Sequence, residues 1–161
     1  MKIRRYRESD REALTHVWLR SVQATHHFLS AEDIAEFLPL VQREPWLEME
    51  TWILESRDQV VGFMSLTKDK IEGLFLAPEY FRQGWGRQLV ERAKRRRKCL
   101  SVDVNEQNKG ACAFYTACGF IACGKSATDN LGKPFPLIHM KLENAPGQRQ
   151  RTQIQPKRRS G

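Results

Sequence analysis

Along the chain, apolar residues recur first at a helical period and then at an alternating one. Residues 2–6 (Lys2 to Tyr6) read as a short first strand, and Ser9 with Glu12 predicts a capping box that opens a helix. Ala13, Leu14, Val17, Trp18 and Val22 then share one face, and this segment runs out near Thr25-His26-His27. A second helix is predicted from about Ala31, capped by Ser30, with Ile34, Phe37, Leu38 and Val41 as its buried stripe; Pro45 marks the loop beyond it. From there the period changes. Thr51 to Glu55 and Val60 to Leu66 are β-rich runs joined by the polar turn Ser56-Arg57-Asp58-Gln59, an antiparallel hairpin, and a third run from Ile71 to Leu76 stops at Ala77-Pro78.

A glycine-containing turn leads into the next helix, with Leu89, Val90 and Ala93 on one side and Arg87, Gln88, Glu91, Arg92 and Lys94 on the other. Cys99 to Val104 reads as another strand. Ala111, Phe114, Tyr115 and Cys118 form an i, i+3, i+4, i+7 stripe that Gly119 terminates, and Phe120 to Cys123 and Leu137 to Leu142 are the last strands. In the final strand Ile138, Met140 and Leu142 alternate with His139 and Lys141. This order predicts an α/β domain, a mixed sheet with helices on both faces.

At 161 residues with 40% hydrophobic content, the chain accommodates one such domain, over residues 1–143, and a tail. Residues 144–161 are rich in Gln, Pro and Arg and nearly free of apolar side chains, so they are expected to be a disordered basic tail. No stretch approaches spanning length and the N-terminus lacks a signal-peptide core, which predicts a soluble, cytoplasmic protein without a membrane partner. The four cysteines, Cys99, Cys112, Cys118 and Cys123, lack metal-site spacing and are expected to be ordinary buried, reduced thiols; no metal is expected. A net charge of +8 suggests a polyanionic partner, but it concentrates in the tail and in Arg92 to Lys98. That second run reads as the solvated end of a helix, where cations complement the dipole, or as an attractor of nucleic acid.

The turn before that helix carries the chemistry. A strand that passes through Gly84-Trp85-Gly86 into a helix brings orphan amides and a dipole to one place, which suits a pyrophosphate. Alone, Gly-x-Gly is a weak signal, since surface turns also need positive φ. A dinucleotide-binding turn would read GxGxxG and a Walker loop GxxxxGK[ST]; neither is present.

The wider context is more specific. Leu74 to Arg87, with Leu-Phe-Leu-x-Pro and Arg82-Gln83-Gly84-Trp85-Gly86-Arg87, resembles the acetyl-CoA motif [QR]xxGx[GA] of the GNAT superfamily of N-acetyltransferases. Asn108-x-x-Ala111-x-x-Phe114-Tyr115-x-x-x-Gly119-Phe120 is similar to that family's second CoA element. The resemblance covers about residues 2 to 143. Val22-x-Ala24-Thr25-His26-x-Phe28-Leu29-Ser30 and Asn130-Leu131-Gly132-Lys133-Pro134 further resemble its bacterial YjaB-like branch, which contains protein lysine acetyltransferases. One position departs: the family's Gln or Arg three residues before the first glycine is Phe81 here, with Arg82 one step late.

The resemblance implies a GNAT fold, a mostly antiparallel sheet splayed at its centre near Leu74 to Leu76 and Val102 to Val104, with acetyl-CoA inserted there. It implies cofactor binding by Leu74, Phe75, Leu76, Arg82, Gln83, Gly84, Trp85, Gly86, Arg87, Asn108 and Tyr115, much of it through backbone groups. Acetyl transfer needs a neutral amine, a polarised thioester carbonyl and a proton for the leaving thiolate. The resemblance gives the proton to Tyr115, which otherwise packs beside Phe114, and the base to Glu72, which otherwise is an exposed strand residue. Asn108 touches the cofactor or caps its helix. His26 and His27 border the acceptor or cap their helix, and Asp103 faces the acceptor groove or solvent. The expected reaction is acetylation of a primary amine, on a protein lysine by branch resemblance, with small amines and aminoacyl-tRNA open. The alternative is a catalytically weak GNAT scaffold serving as a basic RNA-binding or CoA-sensing module, although neither basic segment interleaves the aromatics that single-strand readers use.

Overall fold

The computed structural model describes residues 1–143; the basic tail expected over residues 144–161 lies outside the described residues. Seven strands form one sheet: β1 (Lys2–Arg5), β2 (Glu50–Ser56), β3 (Gln59–Thr67), β4 (Lys70–Leu76), β5 (Cys99–Asn105), β6 (Ile121–Ser126) and β7 (Leu137–Glu143). Their order across the sheet is β1-β2-β3-β4-β5-β7-β6, and every neighbouring pair is antiparallel except β4 with β5. Among the described residues the four α-helices are α1 (Arg11–Thr25), α2 (Ala31–Arg43), α3 (Trp85–Lys94) and α4 (Lys109–Ala117).

Two apolar clusters lie on opposite faces. On one face Leu14, Val17, Trp18 and Val22 of α1 pack with Trp46, Ile53 and Phe63, and the α2 stripe Ile34, Phe37, Leu38 and Val41 closes over them, half-buried rather than fully buried. On the other, Leu89, Val90 and Ala93 of α3 are entirely buried with Leu100, Val102, Tyr115, Cys118 and Phe120. Burying a side chain such as Leu14 or Leu89 stabilises the fold by roughly 1.5–3 kcal/mol, so each helix face is fixed by a few residues.

Several local expectations are corrected. Ser9 and Glu12 do not form the capping box. A short 3-10 turn at Glu8–Asp10 precedes α1, and the Asp10 carboxylate accepts from the Arg7 amide at 2.8 Å while pairing with the Arg4 guanidinium at 2.8 Å. Asp10 won because it reaches both a backbone donor and the part-buried Arg4 guanidinium. Ala13 is exposed, and β6 begins after the buried Phe120 and runs to Ser126. Of the four cysteines, all free, only Cys118 is buried; Cys99 and Cys123 are exposed. Ser30 does cap α2, its hydroxyl accepting from the Asp33 amide at 3.0 Å.

The Arg92 to Lys98 run is not uniformly a solvated helix end. Arg92 stacks on the Trp52 ring at 4.5 Å, and Arg97 donates to the Lys68 and Ala93 carbonyls and pairs with Glu50; Arg95, Arg96 and Lys98 are exposed. Among the described residues, no helix is long and apolar enough to cross a membrane.

Candidate functional site

β4 and β5 run parallel but pair only at Lys70↔Ser101 and Ile71↔Val102. Beyond Ile71 they part, so the edge of β4 from Glu72 to Leu76 carries backbone groups that β5 does not take. The cause is visible on the other side of β4. Leu66 of β3 pairs with Ile71 and Ser65 with Gly73, which leaves Glu72 as the extra residue of a β-bulge. A bulge bends its strand and re-aims side chains. Before it, Ile71 is buried in the α3 cluster and also borders the cavity that Lys70 and Glu72 line on the opposite face; after it, Leu74 and Leu76 join the α3 cluster and Phe75 faces the cavity.

β4 then leads through a 3-10 turn at Pro78–Tyr80 to the glycine turn. Gly84 has φ of +86°, which glycine adopts without steric cost, and Arg82 also has positive φ, at 59°. A non-glycine residue held there marks a conformation imposed by its surroundings. The first helical bond runs from the Gln88 amide to the Gly84 carbonyl, so the amides of Trp85, Gly86 and Arg87 are the orphan donors of a helix start. Arg82, Gln83 and Gly84 are exposed, leaving this backbone open to an anion. Phe81 is half-buried against the α3 cluster, which accounts for an apolar residue at the departing position. Gly86 has a second reason to be glycine: a Cβ there would stand 3.1 Å from the Phe114 ring, so its absence lets α3 approach α4. Arg87 joins the same two helices, donating to the Ala117 carbonyl at 3.1 Å.

α4 brings Asn108 and Tyr115 to this side of the sheet. The Asn108 carboxamide oxygen accepts from the Ala111 amide at 3.1 Å, so the residue caps α4 and has its NH2 group left to offer. Tyr115 is buried, edge-on to both Phe114 and Phe120 at 5.0 and 5.3 Å between ring centroids. Burial raises its phenol above the ordinary range, with Cys118 adding to the shift, and so keeps it protonated through neutral pH. Leu74, Phe81, Trp85, Phe114 and Tyr115 thus meet in one apolar cluster beside the glycine turn.

The cavity on the other face has a volume of about 300 Å³ and apolar walls that include Trp18, Leu29, Phe37, Phe75 and Phe135. Glu72, Asp103 and Asp129 supply its carboxylates. His26 lines it and His27 is exposed, so the two histidines part company. Desolvation, reinforced by the charge of His27, lowers the His26 pKa to about 4, leaving its imidazole neutral at physiological pH.

Asp103 faces this cavity rather than solvent and is the hub of a polar chain. It meets the Lys70 ammonium at 2.8 Å and His139 Nδ1 at 2.6 Å, while His139 Nε2 lies 2.6 Å from the Ser126 hydroxyl. Burial pushes the Asp103 carboxyl up, but the hydrogen bonds from His139 and Lys70 more than offset that and hold it below its ordinary range. Lys70 is raised by its hydrogen bond to Asp103, against a smaller effect of burial. Lys70, His139, Asp129 and Phe135 had no local signature; Asp103 and His139 meet because β5 and β7 place them directly opposite, a register that only the assembled sheet defines. Among the described residues, no group of three or more His, Cys, Asp or Glu side chains is placed to hold a metal ion.

Comparison with known proteins agrees with this geometry. The family model described as acetyltransferase (GNAT) domain matches residues 48–122, which span the hairpin, the bulged strand, the turn and α4. The peptidyl-lysine N-acetyltransferase YjaB of Escherichia coli K12 is 44% identical over 146 residues, covering 90% of this chain and 99% of that protein. The peptidyl-lysine N-acetyltransferase YiaC of the same organism is 29% identical over 119 residues, covering 73% of this chain and 82% of that protein. The solution structure of apo-form YjaB from Escherichia coli superposes with a TM-score of 0.81 at 43% identity, covering 89% of this chain and 98% of that one. The splayed seven-stranded sheet, the glycine turn on α3 and these relatives together make the chain a member of the GNAT family of N-acetyltransferases, enzymes that draw their acetyl group from acetyl-CoA.

Proposed function

We propose that this enzyme acetylates lysine side chains of proteins, in the cytoplasm, and that its two substrates approach from opposite faces of the splay. The observation that carries the acceptor is the cavity that opens onto the β4 bulge. Its aromatic walls suit the four-carbon stem of a lysine, and Glu72 and Asp103 suit the ammonium at its end. The relatives named as peptidyl-lysine acetyltransferases support the same acceptor.

The open edge of β4 fits the cofactor's arm because β5 leaves it unpaired beyond Ile71, and the Arg82 to Arg87 backbone fits its pyrophosphate because helix-start amides follow a turn exposed at Arg82 to Gly84. Bound acetyl-CoA supplies an electrophilic thioester carbonyl. In this reading the backbone of Leu74 and Leu76 aligns the pantetheine, with Phe75 dividing cofactor from acceptor, and Gln83, Gly84, Trp85, Gly86 and Arg87 contribute amides beside Arg82. The Asn108 NH2 group steadies the arm. Glu72 takes the acceptor's ammonium proton through water, and Tyr115, kept protonated by burial, gives its phenolic proton to the departing thiolate. The RNA-binding and CoA-sensing alternative is not the reading these relatives favour.

Incubation with acetyl-CoA and a lysine-containing peptide whose α-amine is blocked, followed by tandem mass spectrometry, tests the acceptor. Acetyl on the ε-amine is expected; turnover confined to free α-amines or to small polyamines would replace protein lysine as the substrate.

A further inference from the structure

The enzyme's own Lys70 is the one lysine lining the cavity among the described residues. Its position is specific: Lys70 forms one of the two β4–β5 pairs before the strands part, two residues from the bulged Glu72, so it stands at the foot of the splay. Its side chain is one-third exposed, toward the cavity. Of the charged groups around it, Asp103 on β5 pairs with it directly, Glu72 lies on its own strand, His139 on β7 stands behind Asp103, and His26 and Asp129 line the same cavity. An amine is thus built into the space where the acceptor amine is read to bind.

We propose that Lys70 is a self-acetylation site, guarded by its ion pair with Asp103. The inference rests on the acceptor reading above. Paired with Asp103, the amine is held as an ammonium and cannot attack. When it loses one proton to solvent, its nitrogen lone pair attacks the thioester carbonyl carbon; a C–N bond forms, the C–S bond breaks, and the second proton leaves with the sulfur as CoA thiol. The net change converts one ammonium and acetyl-CoA into an acetamide, CoA thiol and one released proton. The product has no charge for Asp103 to bind, and its acetyl group occupies cavity volume that an incoming lysine needs. Self-acetylation therefore closes the acceptor side of the site while leaving the glycine turn open.

The full-length protein is incubated with acetyl-CoA at pH 7, 8 and 9, with a blocked lysine peptide in parallel tubes, and Lys70 is followed by tandem mass spectrometry. Acetyl-Lys70 should accumulate roughly tenfold faster per pH unit, following the neutral amine fraction, and D103N should accelerate it at pH 7. G84E, impaired at the cofactor turn, should slow it, which separates enzymatic from chemical acetylation. Turnover with the peptide should decline as Lys70 is modified in wild type and show no such decline in K70R. Without acetyl-CoA, the 13Cε resonance of Lys70 in lysine-labelled protein should titrate at lower pH in D103N than in wild type; if D103N does not fold, the wild-type pH series decides. Peptide turnover with no acetyl-Lys70 at any pH, or equal modification in G84E, overturns self-acetylation and leaves the acceptor reading standing. Absence of both peptide and Lys70 acetylation overturns both.

Discussion

The two faces of the splay offer different physics to the substrates proposed to meet there. On the α3–α4 face the candidate contacts are backbone amides and strand edges, shaped within residues 72–87 by a bulge, Gly84, Gly86 and a helix start. On the α1–α2 face the cavity is a wall of side chains drawn from α1, α2, β4, β5, the segment 129–135 and the start of β7. The first depends on chain conformation, which Phe81 leaves in place by packing against the α3 cluster; the second depends on which side chains meet. Capture of a shared cofactor and choice of acceptor can therefore vary independently.

The largest expected effect falls on the backbone side. Gly84→Glu puts a carboxylate where an anion is read to bind and a Cβ on a backbone at φ of +86°, yet that Cβ meets nothing within 4 Å, so the protein should still fold. Its kcat/KM should fall by about 100-fold or more, and thermal stabilisation by CoA should vanish. An unchanged shift with CoA would place the cofactor elsewhere. Tyr115→Phe comes next. Loss of a proton donor should lower kcat by roughly 100-fold with CoA affinity kept, because the ring still packs on Phe114 and Phe120; loss of affinity without loss of kcat would make Tyr115 a packing residue.

On the side-chain face, Phe135→Ala removes a wall that contacts Phe28 and Phe37. The acceptor KM should rise about tenfold, from roughly 1–2 kcal/mol of lost apolar contact, with the acetyl-CoA KM unchanged; equal changes in both would dissolve the division between the faces. The smallest effect is on stability. His26 titrates near 4 in the folded protein against an ordinary 6.5, so between those values an unfolded chain binds a proton that the folded one refuses. Stability should fall as pH drops from about 6.5 to 4, by about 1–2 kcal/mol after allowing for partial exposure. His26→Gln should flatten that slope in urea titrations.

The same division explains what the sequence disclosed. Gly84, the Pro78 stop and the Asn108 to Phe120 stripe are local patterns, and local patterns encode local conformation, so the turn and both flanking helices were legible. The Glu72 bulge was not, because it is defined by the β3 partner. The cavity was legible only in fragments. Trp18 and Phe37 read as helix-stripe core positions and Phe75 as a cofactor contact by resemblance, and nothing near Asp103 in the chain specifies Lys70 or His139 as its partners, or Ser126 as the partner of His139. Ser9 and Glu12 fit a capping box by spacing alone, and lost to Asp10 because the fold brings the Arg4 guanidinium of β1 within 2.8 Å of its carboxylate, a contact that capping-box spacing does not record.

Amide chemical-shift mapping of the labelled protein tests the division most directly. Acetyl-CoA should move the amides of Leu74 to Leu76 and Arg82 to Arg87 while leaving Trp18 and Phe135 in place, and a blocked lysine peptide added afterwards should do the reverse. Shifts from acetyl-CoA concentrated at His26, Phe37 and Phe135, with residues 82–87 undisturbed, would contradict it.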